Sequence, residues 1–133
     1  MLFTAAQSAA LTTMPMSNVL IEKIKKARET NVSAGSFNFT VRRPTDMEVV
    51  NMRGQQIKQG DLLQKFVIDW AGVTELDIVP GGTNEPVPFD TALFMEWIAD
   101  QPDLWMPLAT AIMGSYAAHQ DKLEQSLGKP DAG

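Results

Sequence analysis

Residues 66–82 read FVIDWAGVTELDIVPGG, residues 86–105 read PVPFDTALFMEWIADQPDLW, and residues 111–116 read AIMGSY. The tryptophans Trp70, Trp97 and Trp105 all fall in this stretch. Its punctuation predicts helix, structured loop, helix, turn, helix. Asp61 has the chemistry of an N-cap, and Leu62, Leu63, Phe66, Val67 and Trp70 follow at helical spacing. A helix is therefore predicted from Asp61 to Trp70, closed by Ala71 and Gly72. From Val73 to Phe89 the periodicity is lost, because Pro80, Gly81, Gly82, Pro86 and Pro88 forbid a regular helix. Leu76, Ile78 and Val79 remain there as apolar anchors. A connection longer than the usual ~4–6 residues is functional, packed by its own apolar residues, or mobile. Asp90 is the next N-cap, and Phe89 with Phe94 has the spacing of a hydrophobic staple. Leu93, Phe94, Trp97 and Ile98 form the buried stripe of that helix. The last helix is predicted to start between Asp103 and Pro107, since proline belongs in a first turn. It continues through Leu108, Ala111, Ile112, Ser115 and Tyr116, thins to Leu123 and Leu127, and ends at Gly128-Lys129-Pro130.

Toward the N-terminus, Asn18 to Arg28 carries Val19, Leu20, Ile24 and Ala27 on one side and Lys23, Lys25, Lys26 and Arg28 on the other positions. This reads as a short amphipathic helix with a dipole-matched basic end. Ala34-Gly35 then separates two arms, and in the second Phe37, Phe39 and Val41 alternate with polar neighbours, a hairpin signal. Two strands alone are marginal in water, so that apolar face must be covered by a helix. Thr45 and Glu48 have the spacing of a capping box opening a helix through Met47, Val49, Val50 and Met52, which ends at Arg53-Gly54. The predicted fold is mainly α with a small β-hairpin (α+β), a single domain of about five helices. It spans residues 17–128 with the hairpin at about 30–42, between an N-terminal arm (1–16), frayed or weakly helical, and a tail (129–133). Trp70, Phe94, Trp97, Leu108 and Ile112 are its expected core.

The 133 residues fit one ordinary domain. A net charge of −5 argues against nucleic acid as the main partner, since phosphate binding needs a dominant basic face. With no cysteine, disulfides, thiolate nucleophiles and zinc–thiolate sites are absent. No apolar run has membrane-spanning length, and the apolar start lacks the basic residues of a signal peptide. A soluble protein is expected.

The single histidine, His119, sits on the weakly patterned end of the last helix, so a Ser-His-Asp set would have to be built on it. A solvent-facing role suits it better. No G-x-x-x-x-G-K-[ST] or G-x-G-x-x-G loop occurs, and no acidic pair stands out. Asp69, Glu75, Asp77, Glu85 and Asp90 cluster in or beside the loop, but their spacing does not match a calcium loop. The expectation is a non-catalytic protein without metal, cofactor or small-molecule substrate. Trp105, beside Pro102 and Pro107, is a candidate partner-binding residue. Arg42 and Arg43 suit an acidic partner segment, and Leu123 and Leu127 a partner helix.

A strand ending in RRPT (Arg42 to Thr45), a helix end reading DWAGVTELDIVPGG, then PVPFD, an aromatic helix and PDLW together resemble the small tail assembly chaperones of long-tailed bacteriophages and prophages. The matching positions are Trp70, Gly72 and Val73; Pro88, Phe89 and Asp90; and Ala111, Ile112 and Tyr116. The resemblance runs from about residue 36 to 119 and is a packing layout without chemistry. It implies binding to the tape-measure protein, a long helical chain, keeping it soluble while tail tube protein polymerises around it. It also implies residence in the host bacterial cytoplasm and absence from the mature virion. Self-association into a homo-oligomer is compatible with this. The alternatives are a structural tail or head–tail connection component, which needs self-assembly surfaces, and a small enzyme or regulator, which needs a cleft.

Overall fold

The computed structural model describes residues 15–127, so the predicted N-terminal arm, apart from Pro15 and Met16, and the tail lie outside the described residues. Pro15 precedes helix α1, Met16–Ala27. The hairpin follows as β1, Glu29–Ala34, and β2, Phe37–Arg42. Gly35 in its turn has φ of +60°, and a Cβ there would stand 3.0 Å from Leu104 Cδ2, so glycine answers both the turn and the approach of the last helix. The alternation in β2 holds: Phe39 and Val41 are buried, and Phe37 is half-buried on the same side. Across β1, Thr30 stands opposite Val41 and Val32 opposite Phe39, so they share that face. The outer face is polar, with Ser33 bonded to Asn38 and Thr40 to Asn31.

Helix α2, Asp46–Met52, opens on the expected capping box: Thr45 accepts from the Glu48 amide, and the Glu48 carboxylate accepts from the Thr45 amide. Helix α3, Gln59–Phe66, begins two residues before the predicted cap, with Lys58 at the N-cap and Asp61 in the first turn.

The structure corrects one element. The helix predicted to reach Trp70 stops at Phe66, and Val67–Ala71 is a strand, β3, which completes a three-stranded antiparallel sheet in the order β1-β2-β3. The register shifts between Thr40 and Val41, so that Val67 pairs with Val41 and Asp69 with Thr40, leaving Ile68 as the extra residue. Residues three apart face opposite sides of a regular strand, but this bulge turns both Val67 and Trp70 inward. A bulged strand thus reproduces the three-residue spacing of a helix.

The segment from Val73 to Phe89 is packed on itself and contains a one-turn helix, α4, Glu75–Ile78, capped reciprocally by Thr74 and Asp77. Leu76 N donates to Thr83 O at 2.8 Å, Val87 N to Val73 O at 2.8 Å, and Thr74 bridges to Pro86. Gly82 lies against the Glu75 backbone, where a Cβ would come within 2.8 Å. Two indoles pin the loop to the core: Trp70 Nε1 donates to Val87 O at 2.7 Å and Trp97 Nε1 to Asp77 O at 3.2 Å.

Helix α5, Thr91–Ile98, is capped by Asp90, whose Oδ1 accepts from Leu93 N, and the staple forms with the Phe89 and Phe94 rings 5.7 Å apart. Helix α6, Pro102–Leu127, starts at Pro102, slightly earlier than predicted, and carries Pro107 in its interior. Pro102 occupies the position where a missing N–H costs nothing, whereas Pro107 removes the bond to the Asp103 carbonyl near the solvent-facing start of the helix.

Phe39, Phe94, Trp70 and Trp97 make the aromatic centre of the core, with Leu108 and Ile112 of α6 against the sheet. All five expected core residues are buried. The fold is thus mixed α+β, with six helices and one sheet among the described residues. No described helix is long and apolar enough to cross a membrane.

Candidate functional site

Arg42 ends β2 and Arg43 follows it, and they have opposite fates because successive residues of an extended chain point to opposite faces. Arg42 Nη1 and Nη2 each donate at 2.8 Å to the Glu48 carboxylate, and its guanidinium lies 4.6 Å from the centre of the Phe66 ring. It joins β2 to α2 and α3, and a partner would have to displace Glu48 to reach its terminal nitrogens. Glu48 is held down to about 2, first by the Arg42 hydrogen bonds and further by the Thr45 amide and by Lys65 at 3.6 Å.

Since the folded-state pKa lies below the ordinary 4.5, the Glu48 carboxylate stabilises the fold above pH 4.5 and loses that effect as pH falls toward about 2. With its side chain 19% exposed, screening reduces the contribution to about 1–2 kcal/mol. Urea melts of Glu48→Gln are expected to show that loss at pH 7 and a much smaller difference from the wild type near pH 2.5. An equal difference at both pH values would contradict this.

Arg43 instead turns toward α6. Its Nη1 donates to Pro44 O at 3.1 Å, and it borders a groove of about 470 Å³ between β1, the end of α1 and α6. Burial, followed by the field of Arg28, lowers its pKa. Asp46 nearby is tied to α6 by Tyr116 Oη and Gln120 Nε2, both at 2.7 Å. The Tyr116 bond lowers the Asp46 pKa and correspondingly raises that of Tyr116.

Trp105 is half-buried and donates its Nε1 to Ile98 O at 2.7 Å. Its ring borders an apolar pocket of about 220 Å³ with Leu63, Met95, Ile98 and Ala99, next to the exposed Met106. Leu123 and Leu127 are exposed on the far part of α6, where no residue after Ile112 is buried. At 1.5 Å per residue, Trp105 and Leu123 stand about 27 Å apart along the axis, so the predicted partner-binding residues form separate surfaces.

Among the described residues, α1 buries no residue and carries a row of exposed apolar side chains. Met16, Leu20, Ile21 and Ile24 are 69%, 48%, 46% and 51% exposed. Leu20 and Ile24 stand out in the sequence as a helical stripe, but a stripe ordinarily implies a core-facing helix. Met16 and Ile21, and the exposure of the whole stripe, become visible only once the sheet is seen to be covered by α5 and α6. Arg28 and Lys122 were likewise outside the predicted set, although they border the Arg43 groove.

His119 is half-buried beside this groove. The acidic residues of the loop act locally: Asp77 caps α4, Asp90 caps α5, and Glu75 Oε1 accepts from Thr83 N and Oγ1 at 2.9 Å. Among the described residues no three histidine or acidic side chains converge as a metal site would require. The arrangement offers binding surfaces: an apolar helix, a small apolar pocket and a cationic groove. No protein-family model, curated protein or solved structure matches the chain.

Proposed function

We propose that this protein is a tail assembly chaperone of a long-tailed bacteriophage or prophage, which binds the tape-measure protein in the host cytoplasm and keeps it soluble while the tail tube assembles. The observation that carries this reading is α1, whose stripe of Met16, Leu20, Ile21 and Ile24 is exposed among the described residues. Burying an apolar side chain of this size contributes about 1.5–3 kcal/mol, so an uncovered row of them favours a protein partner. A long helical client presents amphipathic faces that such a helix can pack against. The net charge of −5 resists aggregation of the complex. The layout of Trp70-Gly72-Val73 and Pro88-Phe89-Asp90 adds the resemblance to that family.

Co-expression with the tape-measure protein of the same phage, followed by light scattering on the soluble fraction, tests the proposal. The client is expected to remain soluble only in complex with this chain, and the complex mass gives the stoichiometry. Equal insolubility of the client with and without the chain would contradict it, as would recovery of the chain as a component of purified particles.

A further inference from the structure

The groove beside Arg43 is built from three parts of the chain. Arg28 comes from the end of α1, Arg43 from the end of β2, and His119 and Lys122 from one side of α6. No acidic side chain lines it. Among the described residues, neither arginine nor Lys122 takes part in an ion pair, whereas Lys26, Arg42 and Lys65 each have an acidic partner. Arg28 Nε is buried without a hydrogen-bond partner. In a chain of net charge −5, the charged side chains that line this groove are cationic, with Asp46 just outside the lining near Arg43.

The walls are apolar and low. Val32 lies on the core-facing side of β1, the strand at the sheet edge, and is half-buried where it borders the groove beside α6. Opposite it, Ala111, Gly114, Ser115 and Ala118 follow one side of α6 with nothing longer than a hydroxymethyl group. A Cβ added at Gly114 would meet nothing within 4 Å. Side chains this small admit another backbone close to the helix, and the remaining exposed part of Val32 supplies apolar area beside it.

We propose that this groove seats an acidic amphipathic helical segment of the client, whose apolar residues cover Val32 and the small-residue side of α6 while its carboxylates engage Arg28 and Arg43. The inference rests on the chaperone reading above. Two adjacent guanidinium groups offer forked donors matched to carboxylate oxygens. Charge complementarity favours an acidic segment, and residues 1–14 carry no acidic side chain and residues 128–133 only Asp131. Apolar cover beside the charges selects a peptide over a bare phosphate.

The test uses the full chain, wild type and Arg28→Gln/Arg43→Gln, titrated with overlapping peptides that span the acidic segments of the tape-measure protein. Each binding peptide is paired with its Glu/Asp→Gln/Asn counterpart. A wild-type preference of at least tenfold for the acidic peptide is expected, and that preference should vanish in the double variant while its urea midpoint stays close to wild type. If the double variant is unstable, Lys122→Gln alone should still weaken the acidic peptide several-fold without affecting its neutral counterpart. Equal binding of acidic and neutral peptides would overturn the proposal, as would binding of inorganic phosphate or single-stranded DNA as tight as that of the peptide. Tighter peptide binding after removal of residues 128–133 would assign the groove to the chain's own tail. Should the wild type hold the full-length client soluble while the variants do so equally well, the groove assignment fails and the chaperone reading stands. Should the wild type bind no client at all, both fail.

Discussion

Replacing Trp97 by alanine is expected to destabilise the fold by about 3–5 kcal/mol, the cost of deleting a large side chain from a packed core. Trp97 is 6% exposed and lies edge-on to Phe37 at 5.2 Å and to Trp70 at 5.7 Å between ring centres. The substitution removes both contacts and the surface they exclude from water, and neighbouring rings fixed by their own backbones refill such a space poorly. It also leaves the Asp77 carbonyl without the indole donor at 3.2 Å that ties α4 and its loop to the core. Against a typical total stability of about 5–15 kcal/mol, this is enough to leave much of the chain unfolded at moderate urea. A urea melt reads it directly, and a loss below about 1 kcal/mol would mean that the ring contributes little to the core.

Trp97 belongs to the part of the fold that is legible in the sequence. Alternation at Phe37, Phe39 and Val41, the capping residues Thr45 and Asp90, and the Phe89–Phe94 staple are local rules, and the structure obeys them. What escapes such reading is structure in which one geometry imitates another. The bulge at Ile68 places Val67 and Trp70 on one face at helical spacing, and β3 follows α3 without a break, so no turn signal separates helix from strand. Helix α4 is too short for periodicity, and only Thr74 and Asp77, at capping spacing, announce it.

The candidate surfaces were legible to different degrees. The α1 stripe is visible as a pattern, but whether a stripe faces a core or solvent is a tertiary fact. The groove joins Arg28, Arg43 and Lys122 from distant parts of the chain, and no local pattern links them. Arg42 and Arg43 look equivalent in sequence, and only the arrangement of α2 and α6 on either side of the strand separates an internal clasp from an open cation.

The second large effect concerns α1. Because Leu20, Ile21 and Ile24 are about half exposed and α1 buries no residue, changing all three to serine is expected to alter stability by only about 0.5 kcal/mol per site. The same change removes the apolar area on which the proposed client contact depends. Full burial of such a side chain contributes about 1.5–3 kcal/mol, and with about half of each still exposed, losing all three weakens binding by about fortyfold or more. The most direct measurement is the mass of the soluble complex formed when the tape-measure protein is co-expressed with wild-type chain or with Leu20→Ser/Ile21→Ser/Ile24→Ser. A stable complex is expected with the wild type, and an insoluble client beside a folded, soluble triple variant. A complex of unchanged mass and yield with the triple variant would contradict it.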